Sequence, residues 1–188
     1  MVEIRTIAVI GAGAVGRGIA YASALGGYRT ILEDILPSSL RTAAAELREH
    51  LARAADLGTV NKPDALAAFS RLEFASSVEH AAREADLVIE AVPDELESKL
   101  EIFTLLDKIC KPHSILVSNT SSLSVTDLAS VTYRAAKVAG MRFPNPVFTT
   151  RHLQVVRARL TDNETISACT EVGKRMDKEV TVIAENAV

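Results

Sequence analysis

The sequence predicts an α/β fold: a doubly wound, mostly parallel sheet covered by helices on both faces, in three α/β/α layers. Strand-like and helix-like segments alternate along nearly the whole chain. DLVIEAV is a near-continuous apolar run of the kind buried on both faces of a parallel sheet. The opening IRTIAVIGAGAVGRGIAYASALGG passes from a β-branched run through glycines into an Ala-rich stretch.

Taken in order, that opening reads as strand, tight turn and helix, with Gly26 and Gly27 at the helix end. YRTILED is a short strand. A long amphipathic helix follows, with Leu40, Ala44, Leu47, Leu51 and Ala54 on one stripe, Ser38 or Ser39 as its cap and Gly58 at its end. A smaller helix near Asp64 to Ser70 leads to LEFA, an edge strand, and Val78 to Glu84 make another helical turn or two. DLVIEAV is then followed by the helix DELESKLEIFTLLDKIC, the strands SILVSN and VAGMRF, an extended run RHLQVV, the helix TDNETISACTEVGKRMD and the strand EVTVIAENAV.

With 188 residues, 48% of them hydrophobic, the chain suffices for one core, so a single domain over residues 1–188 is expected. A net charge of −3 with scattered Lys and Arg gives no basic stripe for nucleic acid and no polybasic face for a membrane. No apolar stretch approaches the roughly 20 residues of a membrane span, and no leader pattern opens the chain, so a small-molecule partner and a cytoplasmic location are expected. Cys110 and Cys169 stand apart without metal-ligand spacing and read as buried reduced thiols, with no metal site expected.

GAGAVG, residues Gly11, Ala12, Gly13, Ala14, Val15 and Gly16, has dinucleotide-binding spacing and sits between a strand and a helix, as the mechanism requires. Gly11 permits the turn, Gly13 lets backbone approach a pyrophosphate, and Gly16 allows close packing of helix on strand. This makes the fold Rossmann-type. An acid about 20 residues on should accept the ribose hydroxyls. Asp34 fits, with Glu33 beside it as the less favoured substitute. A carboxylate there repels a 2′-phosphate, and Ile35 and Leu36 bring no arginine to bind one, so NAD is expected over NADP.

DLVIEAVPDELESKLEIFTLLDKI, SNTSSLSVTDLA and AGMRFPNPV together resemble the 3-hydroxyacyl-CoA dehydrogenase family. The resemblance implies oxidation of a 3-hydroxyacyl thioester by NAD, a place in fatty acid metabolism and an acyl-CoA as substrate. It also implies NAD contacts at Gly11, Gly13, Gly16, Asp34, Asp94 and Lys99, a serine on the reacting oxygen at Ser121, and an asparagine beside the nicotinamide at Asn145. Asp94 as a favourable acid at a helix start and Lys99 as a solvated charge are the plain alternatives.

The departures concern catalysis. The family's catalytic histidine position carries Arg142, and the position of its orienting glutamate carries Gln154. An Arg with a pKa above about 12 accepts no proton at neutral pH, and Gln lacks the charge that stabilises an imidazolium. Three readings follow. His152, on the same face of a strand as Gln154, serves as a relocated base. Arg142 holds an acidic substrate by its guanidinium fork. Or the chain binds NAD with little turnover. Arg48, His50 and Arg53 on the long helix are weak candidates for a phosphate-bearing tail, or form a solvated face with Glu49. The family's C-terminal helical domain, which forms its dimer, is expected to be absent, so a monomer is expected.

Overall fold

The computed structural model describes residues 3–185. Its eight strands are β1 (Thr6–Ile10), β2 (Arg29–Glu33), β3 (Leu72–Ala75), β4 (Leu87–Glu90), β5 (Ile115–Ser118), β6 (Val138–Arg142), β7 (His152–Arg157) and β8 (Glu179–Ala184). The helices are α1 (Ala14–Leu25), α2 (Pro37–Asp56), α3 (Lys62–Ser70), α4 (Val78–Ala82), α5 (Leu96–Ile109), α6 (Val125–Ser130) and α7 (Asn163–Arg175), with a short 3-10 turn at Ala135–Lys137. The end of the expected last strand, residues 186–188, lies outside the described residues.

The strands form one sheet in the order β3-β2-β1-β4-β5-β6-β7-β8. Along β1, Ile7 and Val9 join a core with α1, α2, α3 and α7, while Ala8 and Ile10 join a second core with α4, α5 and α6. Burial on both faces explains why β1, β4 and β5 read as unbroken apolar runs rather than alternating ones. The edge position of β3 is as expected.

One pairing is not parallel: β6 and β7 run antiparallel, with Gly140 opposite Val156, Met141 opposite Val155 and Arg142 opposite Gln154. The 143–151 connection is shorter than the dozen or more residues that a parallel crossover needs, so the chain turns back on itself. By contrast α7 supplies a crossover, and β8 returns parallel to β7.

The start of α2 differs from expectation. Leu36 is its N-cap and Pro37 its first residue, without a side-chain cap, so Ser38 and Ser39 lie inside the first turn. The fixed φ of proline suits the first helical position and outweighs the capping preference of serine. The buried stripe runs through Leu40, Ala43, Leu47, Leu51 and Ala54, so Ala43 takes the place assigned to Ala44. Gly58 follows the helix with φ of 73°, as a terminating glycine should. Among the described residues, no helix is long and apolar enough to cross a membrane.

Candidate functional site

The strand order reverses between β1 and β4, and the loops that leave these two strands open on one crevice, the usual ligand position in such sheets. Gly11 leaves β1 at φ of 103°, and a Cβ on it would stand 2.9 Å from the Ala91 carbonyl oxygen. Its amide donates to the Glu33 carbonyl at 2.9 Å, tying the turn to the end of β2. A Cβ on Gly16 would lie 1.8 Å from the Gly11 oxygen, so α1 rests on the turn at a distance only glycine allows. Gly13, the N-cap of α1, has nothing within 4 Å of where its Cβ would be. That open space faces the unpaired amides of the first helical turn, including those of Ala14 and Val15, the arrangement that receives a pyrophosphate.

Asp34 is fixed beside this turn. Its Oδ2 accepts from the Ala12 amide at 3.0 Å and its Oδ1 from the Leu36 amide at 2.9 Å. Both oxygens keep lone pairs for ribose hydroxyls. Ile35 and Leu36 beside it are exposed, with no arginine among them to favour a 2′-phosphate. Glu33 is buried, and burial, reinforced by the Asp34 charge, pushes its carboxyl up to about 7. It faces the α4 and α5 side with Ile31, so it is Asp34 that reaches the turn.

Sequence reasoning passed over Arg17. Its Nη1 donates to the Ala12 carbonyl at 2.9 Å, and its Nε lies 2.8 Å from Glu46 on α2, an ion pair without an aligned hydrogen bond. The side chain therefore braces the glycine turn against α2. Only its place directly after the turn could have drawn attention to it.

Across the crevice, charged groups are buried between β4, β5 and α5. Lys99 is 1% exposed, and its Nζ meets Glu90 at 2.5 Å, the Val92 carbonyl at 3.0 Å and Asp94 at 3.2 Å. Lys99 is thus no solvated surface charge; all three of its donors have partners inside the chain. Glu90 in turn accepts from the Ser118 hydroxyl at 2.6 Å and the Val92 amide at 2.7 Å. Asp94 lies before α5 rather than in it and accepts from Thr120 at 3.0 Å and Ser122 at 2.9 Å. Burial raises its carboxyl, but the bonds from Ser122, Lys99 and Thr120 outweigh this and hold it below its usual value. Glu90 escaped the sequence reading because it sits within an apolar strand run.

This network holds the 119–122 turn, where the family resemblance placed Ser121. Ser121 is exposed, and its hydroxyl has no partner among the described residues. The Asn119 side chain, unassigned from the sequence although it lies within SNTSSL, accepts the Phe143 amide at 2.8 Å and fixes the end of β6 to the turn. Arg142 is half-buried, and its Nε donates to the Thr120 carbonyl at 2.9 Å. Gln154 stands opposite Arg142 on β7, so the two residues are cross-strand partners. Asn145 is exposed just beyond, and His152 is exposed at the start of β7, on the face of Gln154.

The loop carrying Asn145 is anchored on α1 and α2. Val147 fills the space over Gly18, where a Cβ would come within 2.5 Å of it. Phe148 stacks on His50 at 4.1 Å and meets Tyr21 edge-on at 5.1 Å. Lys178 adds bonds to the Val147 and Thr150 carbonyls at 2.7 and 2.6 Å. His50 is therefore engaged by Phe148, and Arg48 lies 4.7 Å over the Phe69 ring, so two of the three candidates for a phosphate-bearing tail hold aromatic rings instead.

An open helix N-terminus at the switch point, with a carboxylate bonded to the same turn, defines a dinucleotide-binding domain of the dehydrogenase class. The family model described as 3-hydroxyacyl-CoA dehydrogenase, NAD binding domain, matches residues 6–187. The chain belongs to the 3-hydroxyacyl-CoA dehydrogenase family, as its NAD-binding domain, and NAD is its cofactor. It is 37% identical over 176 residues to a probable 3-hydroxybutyryl-CoA dehydrogenase of Bacillus subtilis, covering 94% of this chain and 61% of that protein. It is 33% identical over 180 residues to the mitochondrial hydroxyacyl-coenzyme A dehydrogenase of Sus scrofa, covering 93% and 57%. The crystal structure of (S)-3-hydroxybutyryl-CoA dehydrogenase from Ralstonia eutropha superposes with a TM-score of 0.93 at 31% identity, over 98% of this chain and 65% of that one. The Escherichia coli K12 3-hydroxybutyryl-CoA dehydrogenase gives 0.93 at 30% identity, over 97% and 38%. The chain thus spans about three fifths of the length of the curated relatives it matches.

Proposed function

We propose that this chain serves an NAD-dependent oxidoreductase acting on a 3-hydroxyacyl thioester or a related hydroxy acid, with proton transfer impaired at Arg142 and Gln154. The observation that carries the cofactor half is Asp34, bonded to the Ala12 amide beside the open space over Gly13. The names of the relatives support the substrate half. In this reading the first-turn amides of α1 hold the pyrophosphate, and Asp34 accepts the adenosine ribose hydroxyls. The free hydroxyl of Ser121 hydrogen-bonds the reacting oxygen of the substrate, and the Asn145 amide lies along the nicotinamide. Asp94 and Lys99 act through the network that fixes the 119–122 turn. When bound, NAD supplies the hydride acceptor. Two buried free cysteines, with thiols pushed up by burial to about 11 at Cys110 and about 12 at Cys169, fit the reducing cytoplasm.

A positioned general base contributes roughly 10²- to 10⁴-fold to rate. Arg142 cannot act as one, and its partner across the ladder is neutral Gln154. Their juxtaposition favours a second reading, an NAD-binding module with little turnover. Two measurements separate the layers. Calorimetric titration gives saturable NADH binding that Asp34→Ala weakens; absent or unaltered binding sinks the cofactor assignment in this chain. Single-turnover reduction of NAD with 3-hydroxybutyryl-CoA runs some 10²- to 10⁴-fold below the relatives. A rate equal to theirs overturns the impaired-relay argument, and loss of that rate in His152→Ala identifies His152 as the base.

A further inference from the structure

Arg142 differs from an arginine that serves structure alone. Arg134 is of that kind: its Nε meets Asp107 at 2.7 Å, its Nη2 donates to the Asp107 carbonyl at 2.8 Å and its Nη1 to the Lys111 carbonyl. Arg142 has one bond, from Nε to the Thr120 carbonyl at 2.9 Å, and neither Nη has a partner among the described residues. The Nε bond fixes the guanidinium over the 119–122 turn and leaves both Nη groups unengaged. Half-buried, the side chain is not simply extended into solvent.

Among the described residues, no carboxylate forms an ion pair with Arg142. Gln154, directly across the ladder, is neutral. Asp94, which holds the same turn, is taken up by Thr120, Ser122 and Lys99 and forms no ion pair with Arg142. Ser121, on the same turn, and Asn145, three residues along the chain, are exposed, uncharged and without side-chain partners among the described residues. A partly desolvated cation with an open fork and no ion-paired carboxylate among the described residues matches a planar oxyanion from outside.

We infer that Arg142 binds the carboxylate of the substrate, so that the site takes a free hydroxy acid or oxo acid rather than a neutral thioester carbonyl at this position. The inference rests on the proposed function in placing substrate beside Ser121 and Asn145. Two parallel N–H to oxygen bonds from the Nη pair orient the acid, and the Ser121 hydroxyl then meets its hydroxyl or oxo group. A histidine offers no such fork, and a lysine offers charge without planarity.

The test titrates 3-hydroxybutyrate and its neutral amide, 3-hydroxybutyramide, into the protein with and without saturating NADH. Hydroxy acid and NADH form an abortive pair that cannot react. The acid binds at least about tenfold tighter than the amide, as a charge-assisted bidentate contact implies. Arg142→Gln removes the preference, and Arg142→Lys, which keeps the charge, retains part of it. NADH affinity and melting temperature, measured on the same samples, establish that each variant is folded when the acid and the amide are compared. No measurable binding of the acid, equal binding of acid and amide, or a preference that survives Arg142→Gln overturns the assignment. An Arg142-dependent preference for acid in a protein that fails to bind NADH would support it while sinking the oxidoreductase reading.

Discussion

Glu33 and Asp34 are chain neighbours of the same charge type in opposite environments. Asp34 faces the crevice and receives two backbone amides, whereas the Glu33 carboxyl is buried against the opposite core. Burial, then the Asp34 charge, raises Glu33 from an ordinary 4.5 to about 7. The folded state therefore holds this proton more tightly than the unfolded chain does. The cost of burying the carboxylate is absent below pH 4.5, grows between 4.5 and 7, and is complete above 7. At about 1.4 kcal/mol per unit, it reaches the order of 3 kcal/mol. Glu33→Gln is expected to raise the melting temperature at pH 8 by several degrees and to leave it nearly unchanged at pH 5. Thermal unfolding of the free protein at the two pH values checks this; an equal shift at both would mean that Glu33 does not titrate between them.

At the scale of elements, most of the fold was legible and most of the site's support was not. The turn between β1 and α1 and the strand β4 announce themselves because each rests on a local rule, glycine spacing or an unbroken apolar run. The bonds between elements obey no local pattern: Glu90 to Lys99, Asn119 to the Phe143 amide, and Phe148 between His50 and Tyr21. The 143–151 loop shows the difference best. Its two prolines mark an irregular connection, but nothing in sequence says that Phe148 closes over α1 and α2. That contact suggests how Asn145 is held, since the loop lacks regular structure of its own. Phe148→Ala removes a half-buried ring and its two aromatic partners, at a cost on the order of 2 kcal/mol, below that of a fully buried phenylalanine. Faster amide exchange and earlier proteolysis within 143–151 are expected, with exchange in β1 and β4 unchanged. Unaltered exchange in the loop would show that Val147 and Lys178 suffice to anchor it.

Among the described residues, the sheet has two unequal edges. At β3, Arg29 of the neighbouring β2 binds Glu73 at 2.7 Å and Glu84 at 2.9 Å, so charge lines that edge. Such exposed pairs add little stability, but they discourage another strand from pairing there. The β8 edge is less protected. Its sequence EVTVIA is rich in β-branched residues, and Val182 is 45% exposed on a strand with no second neighbour among the described residues. A long apolar edge of this kind is a template for pairing with a second chain. Sedimentation velocity over a concentration series is therefore expected to show reversible self-association of this 188-residue chain at high concentration. Val182→Lys places a charge on the edge without touching the core, so it should abolish the association while changing stability by no more than about 0.5 kcal/mol. NADH affinity should stay as it is, because β8 lies six strands from β2, which carries Asp34 at its end, and four from β4. Association that persists in Val182→Lys would move the contact to another exposed apolar group, with Leu57 and Leu66 of the α2–α3 hairpin the next to test.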